Sequence, residues 1–120
     1  MDEAELKSRM KLFGLRCLKL IDTLPSSPAG RIIASQLGRA ATSVGANYRA
    51  ACRAKSTADF ISKMGTVEEE ADESAYWIEL LIEDGKVPET KAAPLLKEAN
   101  ELVAITVSSI NTARKSGGRP

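Results

Sequence analysis

Hydrophobic residues recur along the chain at helical rather than alternating spacing, in four segments separated by proline and glycine. From about Asp2 to Thr23, Leu6, Met10, Phe13, Cys17, Leu20 and Leu24 step by fours and threes and form one apolar stripe. From about Arg31 to Ala54, Ile33, Leu37, Ala40, Val44, Tyr48 and Ala51 fall within one arc when residues advance by about 100° each. The third segment, about Thr57 to Asp84, aligns Phe60, Met64, Val67, Ala71, Ile78 and Ile82. The fourth ends near Arg114 and aligns Leu95, Leu96, Ala99, Leu102, Val103, Thr106 and Ile110. Pro94 cannot donate the hydrogen bond that an interior position needs. It is expected to start the main fourth helix, with a short turn over Pro88–Ala92 before it.

The breaks have local causes. Each proline in Leu24–Pro25–Ser26–Ser27–Pro28–Ala29–Gly30 keeps its predecessor out of the helical region, and Asp84–Gly85–Lys86–Val87–Pro88 is a second turn. Near Ala54–Lys55–Ser56–Thr57, Ser56 or Thr57 can cap a new helix, with Asp59 in its first turn. Four amphipathic helices with short connections predict an all-α, antiparallel up-and-down four-helix bundle. A single domain over 1–115 is expected, followed by a flexible tail over 116–120.

Composition narrows the function classes. Among 120 residues there are 17 basic and 16 acidic side chains, so a uniformly basic nucleic-acid binder is excluded while a locally basic face is not. Histidine is absent, which removes serine–histidine and cysteine–histidine catalysis and histidine-rich metal sites. There is no 18-residue apolar run and no secretory core behind Met1–Asp2–Glu3, so a cytoplasmic protein with no membrane association is expected. Cys17 and Cys52, far apart and without CxxC spacing, are then expected as reduced thiols packed as small hydrophobes.

The charges are segregated. Arg31, Arg39, Arg49 and Arg53 share an arc of roughly 80° opposite the apolar face of the second segment, spread along about 36 Å of helix. No acidic residue occurs from Arg31 to Thr57, so the ridge has no partner on its own helix. It reads either as a phosphate-contacting surface or as a solvated face whose charges are met by acidic neighbours. The third segment is the counterpart, with nine carboxylates against Lys63 alone. Glu70 and Glu73 lie nearest its apolar arc, but no histidine completes a bundle metal site, and neither a metal, a cofactor nor a catalytic residue is expected. An acidic helix beside a basic one fits electrostatic complementarity, within the bundle or between subunits.

Ala34, Gly38, Ala41 and Gly45 line one edge of the second helix. Two interior glycines each cost about 1 kcal/mol relative to alanine, so close approach of another backbone should offset them, from the first helix or from a neighbouring subunit. Tyr76 and Trp77 are adjacent and should point in different directions, Trp77 to the helix flank near Leu81 and Tyr76 among the acidic residues. Two readings stand side by side: one of the two aromatics docks against a partner, or Trp77 is a core-edge residue.

The block Arg39–Ala40–Ala41–Thr42–Ser43–Val44–Gly45–Ala46–Asn47–Tyr48–Arg49 carries a family resemblance. It continues through Arg53–Ala54–Lys55–Ser56, Asp59–Phe60–Ile61–Ser62–Lys63 and Glu70–Ala71–Asp72–Glu73–Ser74–Ala75–Tyr76–Trp77–Ile78–Glu79–Leu80–Leu81. In this the chain resembles the bacterial four-helix bundle family named after the protein encoded in intervening sequences of 23S ribosomal RNA. The resemblance covers essentially the whole chain and implies a small antiparallel bundle assembled into a homopentameric ring. A distantly similar member is the accessory variability-determinant protein of diversity-generating retroelements, a basic pentamer that binds nucleic acid and a reverse transcriptase. Most members have no established biochemical function, and the family name implies a genomic location more than an activity. Ala50 stands where the family commonly has an acidic residue, and Glu68 and Glu69 where it often has apolar residues and lysine, so here the second helix is more purely basic and the third more acidic.

Two functions are therefore expected. One is a non-enzymatic oligomeric module associated with RNA or a ribonucleoprotein, with Arg31, Arg39, Arg49 and Arg53 on phosphates. The other is a purely structural assembly or adaptor protein whose charged faces serve ring formation, with Ala34, Gly38, Ala41, Gly45 and Trp77 in close helix or subunit packing.

Overall fold

Each apolar stripe becomes one helix in the computed structural model, which describes residues 1–116. Helix α1 spans Glu3–Ile21, α2 Pro28–Ala51, α3 Thr57–Glu83 and α4 Glu89–Lys115. α1 packs on α2, α2 on α3 and α3 on α4, and α4 closes back on α1 through the smallest of the four interfaces. The result is an elongated four-helix bundle measuring 48 × 22 × 20 Å.

Local chemistry sets most helix ends. Asp2 and Glu5 form a reciprocal capping box, in which the Glu5 N–H donates to Asp2 Oδ1 at 2.8 Å and the Asp2 N–H donates to Glu5 Oε1 at 3.2 Å. Ser56 caps α3 by accepting from the Asp59 N–H at 3.0 Å. Asp59 in turn accepts from Lys63 and from the Lys55 N–H, and these bonds hold its carboxyl below the usual range. At the far end of α3, Gly85 adopts φ +72, and the N–H groups of Gly85 and Lys86 reach back to the carbonyls of Ile82 and Leu81. This αL turn stops the helix, and glycine adopts it without penalty from a Cβ.

Three boundaries differ from the sequence expectation. α2 begins at Pro28 rather than Arg31, because Ser27 accepts from the Gly30 N–H and Pro28 occupies the first turn, where its missing donor costs nothing. A Cβ on Gly30 would lie 2.5 Å from the Pro25 carbonyl oxygen, so this tight entry requires glycine. α2 also stops at Ala51, which leaves Arg53 in the following turn with its N–H on the Ala50 carbonyl. Finally, Pro94 lies inside α4 instead of starting it. The turn before it is helical and buries Ala92 completely, while Pro94 faces solvent and forfeits a single backbone bond. The expected tail over 116–120 lies, beyond Ser116, outside the described residues.

The core follows the stripes with departures: in α3 Leu81 is fully buried where Ile82 was expected, and Phe60, Ile82, Leu96 and Val103 are only half-buried. Met10, Phe13, Cys17, Leu37, Val44, Met64, Val67, Ile78, Leu81 and Leu102 are fully buried, and each large side chain contributes about 1.5–3 kcal/mol through removal from water. The buried hydroxyls of Ser74 and Thr106 donate to the carbonyls one turn earlier, Glu70 at 2.8 Å and Leu102 at 2.7 Å. Among the described residues no helix is long and apolar enough to cross a membrane.

Cys17 and Cys52 are free thiols, the first fully buried in α1 and the second half-buried at the end of α2. Burial pushes the Cys17 thiol from the ordinary 9.0 up to about 12. The unfolded chain therefore ionises this thiol first, and the stability that its burial provides is complete below pH 9 and lost as pH rises toward 12. Alkylation of the native protein at neutral pH should modify Cys52 well before Cys17, with Cys17 reacting only on unfolding. Equal rates, followed by peptide mass mapping, would contradict this burial.

Candidate functional site

The four expected arginines remain exposed but do not act as one ridge. Arg39 is engaged within the chain: its Nη1 lies 3.4 Å from both carboxylate oxygens of Glu70, and its Nη2 donates to Glu73 Oε2. The two α3 carboxylates considered for metal or acid–base chemistry thus hold a guanidinium, and no metal-ligand cluster occurs among the described residues. Arg31 donates to the Ser26 carbonyl at 3.1 Å, just before its own helix. Arg49 and Arg53 have no ion-pair partner among the described residues.

The small-residue edge of α2 packs on α1. A Cβ on Gly45 would sit 3.6 Å from the backbone of Met10 and Lys11, and one on Gly14 would sit 3.5 Å from the Ala41 carbonyl oxygen. At Gly38 the expected close backbone approach is not found: among the described residues its Cβ would meet a side chain alone, Ile21 Cδ1 at 3.3 Å. As α2 numbers rise, their α1 partners fall, so the two helices run antiparallel, with the Gly14 and Gly45 positions facing the other helix's backbone. Ala41 is fully buried in this seam, while Ala34 is half-buried four residues before Gly38, which already meets the last residue of α1.

Outside the seam lies a groove of about 620 Å³ between α1 and α2. Its floor is small (Gly14, Ala41, Gly45, Ala46), Leu15 and Leu18 line its α1 wall, and Lys7, Lys11 and Arg49 are its charged residues. Leu15 and Leu18 are 48% and 41% exposed, large values for leucine on a helix with a well-filled core face. Lys7 is met by Glu3 at 3.1 Å, whereas Lys11, like Arg49, has no ion-pair partner among the described residues.

The aromatic pair sits as expected, Trp77 on the flank and Tyr76 among the acids, but the two rings touch. Although adjacent in sequence, the Tyr76 and Trp77 rings meet edge to face, 5.1 Å between centroids at 67°. Trp77 is half-buried and donates to Glu73 Oε2 at 3.1 Å, so it belongs to the Arg39 cluster. Tyr76 is the exposed member, at 52%, on an outward α3 face with Glu69, Asp72, Glu79 and Glu83. The weak α1–α4 contact has its own tie. Arg9 donates to both oxygens of Glu98, at 2.7 and 2.8 Å, and to Glu101 at 2.6 Å, and these acceptors hold its guanidinium more firmly protonated than usual.

The model of the 23S rRNA-intervening sequence protein family matches residues 3–108, which includes the α1–α2 seam, the Arg39 cluster and the α3 face. The chain belongs to this family. Among solved structures it is similar to a protein of unknown function from the S23 ribosomal protein family of Bacteroides thetaiotaomicron VPI-5482, at 31% identity and a TM-score of 0.85. That alignment covers 92% of this chain and 99% of the other. No curated protein matches. Neither the family description nor the structural neighbour names an activity.

Sequence reasoning placed the arginines and the glycine edge but missed the groove's α1 wall. The signal was present: Leu12, Leu15 and Leu18 stand off the α1 core stripe and demand a reason for their exposure. Gly45 tests the seam directly. Gly45→Ala, whose Cβ would make ordinary contacts, should leave stability unchanged or raise it by up to about 1 kcal/mol through helix propensity. Gly45→Leu should lower it by about 1–3 kcal/mol in denaturant unfolding, because the larger side chain must push α1 away. Equal midpoints for the two variants would refute the seam.

Proposed function

We propose that this protein is a non-enzymatic module that acts by binding, and whose first partner is itself. The observation that carries this reading is the separation of unpaired charge on one chain. Lys11 and Arg49 lie on the α1–α2 side, and Glu69, Asp72, Glu79 and Glu83 on the outward face of α3, none in an ion pair among the described residues. Inside the chain Arg39 is already paired with Glu70 and Glu73 across α2 and α3. A basic patch that meets an acidic patch elsewhere on the same molecule makes a heterologous contact, which closes into a ring or extends into a filament. The family resemblance implies a ring of five. Light scattering coupled to size exclusion should give an integer multiple of 12.9 kDa. A monomer at micromolar concentration would overturn the reading.

A second reading, RNA or ribonucleoprotein binding, is favoured by one observation: Arg49 and Arg53 are exposed and lack carboxylate partners among the described residues. They would contact phosphates without reading bases, with Arg31 adding a third cation and Arg39 already committed to α3. Repetition in an oligomer would multiply a weak contact. On this reading, anisotropy with generic RNA shows binding at low salt that weakens steeply as salt rises. Arg49→Glu/Arg53→Glu should abolish it, and Arg39→Gln should change it little. Absence of wild-type binding at low salt would end the RNA reading.

A further inference from the structure

We infer that the groove between α1 and α2 is the seat for the outward α3 face of a second copy of this chain, with Tyr76 against Leu15 and Leu18. This rests on the self-assembly reading above and names the two surfaces that would mate.

Three observations converge on it. The groove combines exposed apolar wall with cations: Leu15 and Leu18 along α1, and Lys11 and Arg49 toward the other end. No carboxylate lines it. The α3 face has the converse pattern, one large exposed aromatic flanked by acids, with Asp72 one turn before Tyr76 and Glu79 and Glu83 one and two turns after. The spans also agree. Lys7 to Leu18 covers about 17 Å of helix and Glu69 to Glu83 about 21 Å. With Tyr76 at the leucines, Glu79 one turn on falls near the level of Lys11, and Glu83 two turns on near that of Arg49, which the α1–α2 register sets beside Lys7. Charge would then choose the face, and apolar burial would hold it.

Gly65 supplies the third observation. It lies in the interior of α3, on the same outward side as Tyr76, and a Cβ there would meet nothing within 4 Å. Unlike Gly14 and Gly45, it has no close neighbour within the chain to account for a helix-weakening residue. A neighbouring copy lying along α3 is a partner that would use the space.

The two surfaces lie on different helices, so neither mates with itself and the contact propagates from copy to copy. A phosphate backbone is the competing occupant of the basic end, but it gives no role to Leu15, Leu18 or the carboxylates.

The test is a charge swap, with helicity of every variant checked by circular dichroism and assembly by light scattering across a dilution series. Lys11→Glu/Arg49→Glu and, separately, Glu79→Lys/Glu83→Lys should each raise the dissociation concentration by about tenfold or more. Tyr76→Ala should do the same without altering charge. A chain carrying both reversals should recover much of the wild-type assembly, because each face again meets its opposite. Failure is separable. A monomeric wild type removes the assembly reading and this seat together. An assembled wild type whose mass survives all three variants removes only the seat, and if the groove variant then loses RNA binding, the groove belongs to phosphate. Dissociation without recovery in the combined chain shows that the two faces do not meet each other.

Discussion

Most of what this molecule presents outward depends on how near α1 can come to α2. Gly14 faces the Ala41 carbonyl, and Gly45 faces the Met10 and Lys11 backbone, so the helices meet backbone to backbone where side chains would hold them apart. A close seam cannot fill its own outward angle, since the residues nearest to it are too small. The space appears as the open groove over Gly14, Ala41, Gly45 and Ala46. Leu15 and Leu18, one step off the core stripe of α1, are left at its edge instead of being covered by a larger neighbour. Two helix-weakening glycines at the seam thus produce both the tight pair and the uncovered apolar wall.

The opposite side of α2 is governed by charge. Arg39 reaches the α3 carboxylates Glu70 and Glu73, and Glu73 also accepts from Trp77, so one cluster joins cation, acids and indole. Exposed ion pairs contribute only about 0.2–1 kcal/mol each. By absorbing the middle of the expected ridge, the cluster leaves Arg49 and Arg53 as a smaller basic end. The α1–α4 side uses the same device, because Arg9 clamped between Glu98 and Glu101 spans the smallest of the four interfaces.

Tyr76 and Trp77 illustrate how side-chain chemistry departs from helical-wheel geometry. Adjacent positions diverge by about 100°, yet two aromatic rings with long side chains can lean together and pack edge to face. The indole N–H is drawn to Glu73 and fixes Trp77 in the chain, which hands the exposed role to tyrosine.

The periodicity of Leu, Ile, Val, Met and Ala was enough by itself to determine four helices, their core faces and the bundle. Burial of a stripe depends only on spacing along one helix, and Ser56, Asp2 and Gly85 mark ends through bonds to their own neighbours. Pro94 and Arg53 were misplaced because a helix end is a competition that sequence spacing does not settle. At Pro94 the helix already runs from Glu89 and the proline sits on its exposed side, and at Arg53 the chain has already turned toward Ser56. The family block was legible as well. What only the tertiary structure decided is pairing across helices: that the glycine edge faces α1, that Arg39 and not Arg49 meets the acids, and that Leu15 and Leu18 stay uncovered. Spacing along a helix says which residues share a face, but which face another helix covers is set by the relative rotation and separation of the two, and here small residues at the seam leave room for the close approach.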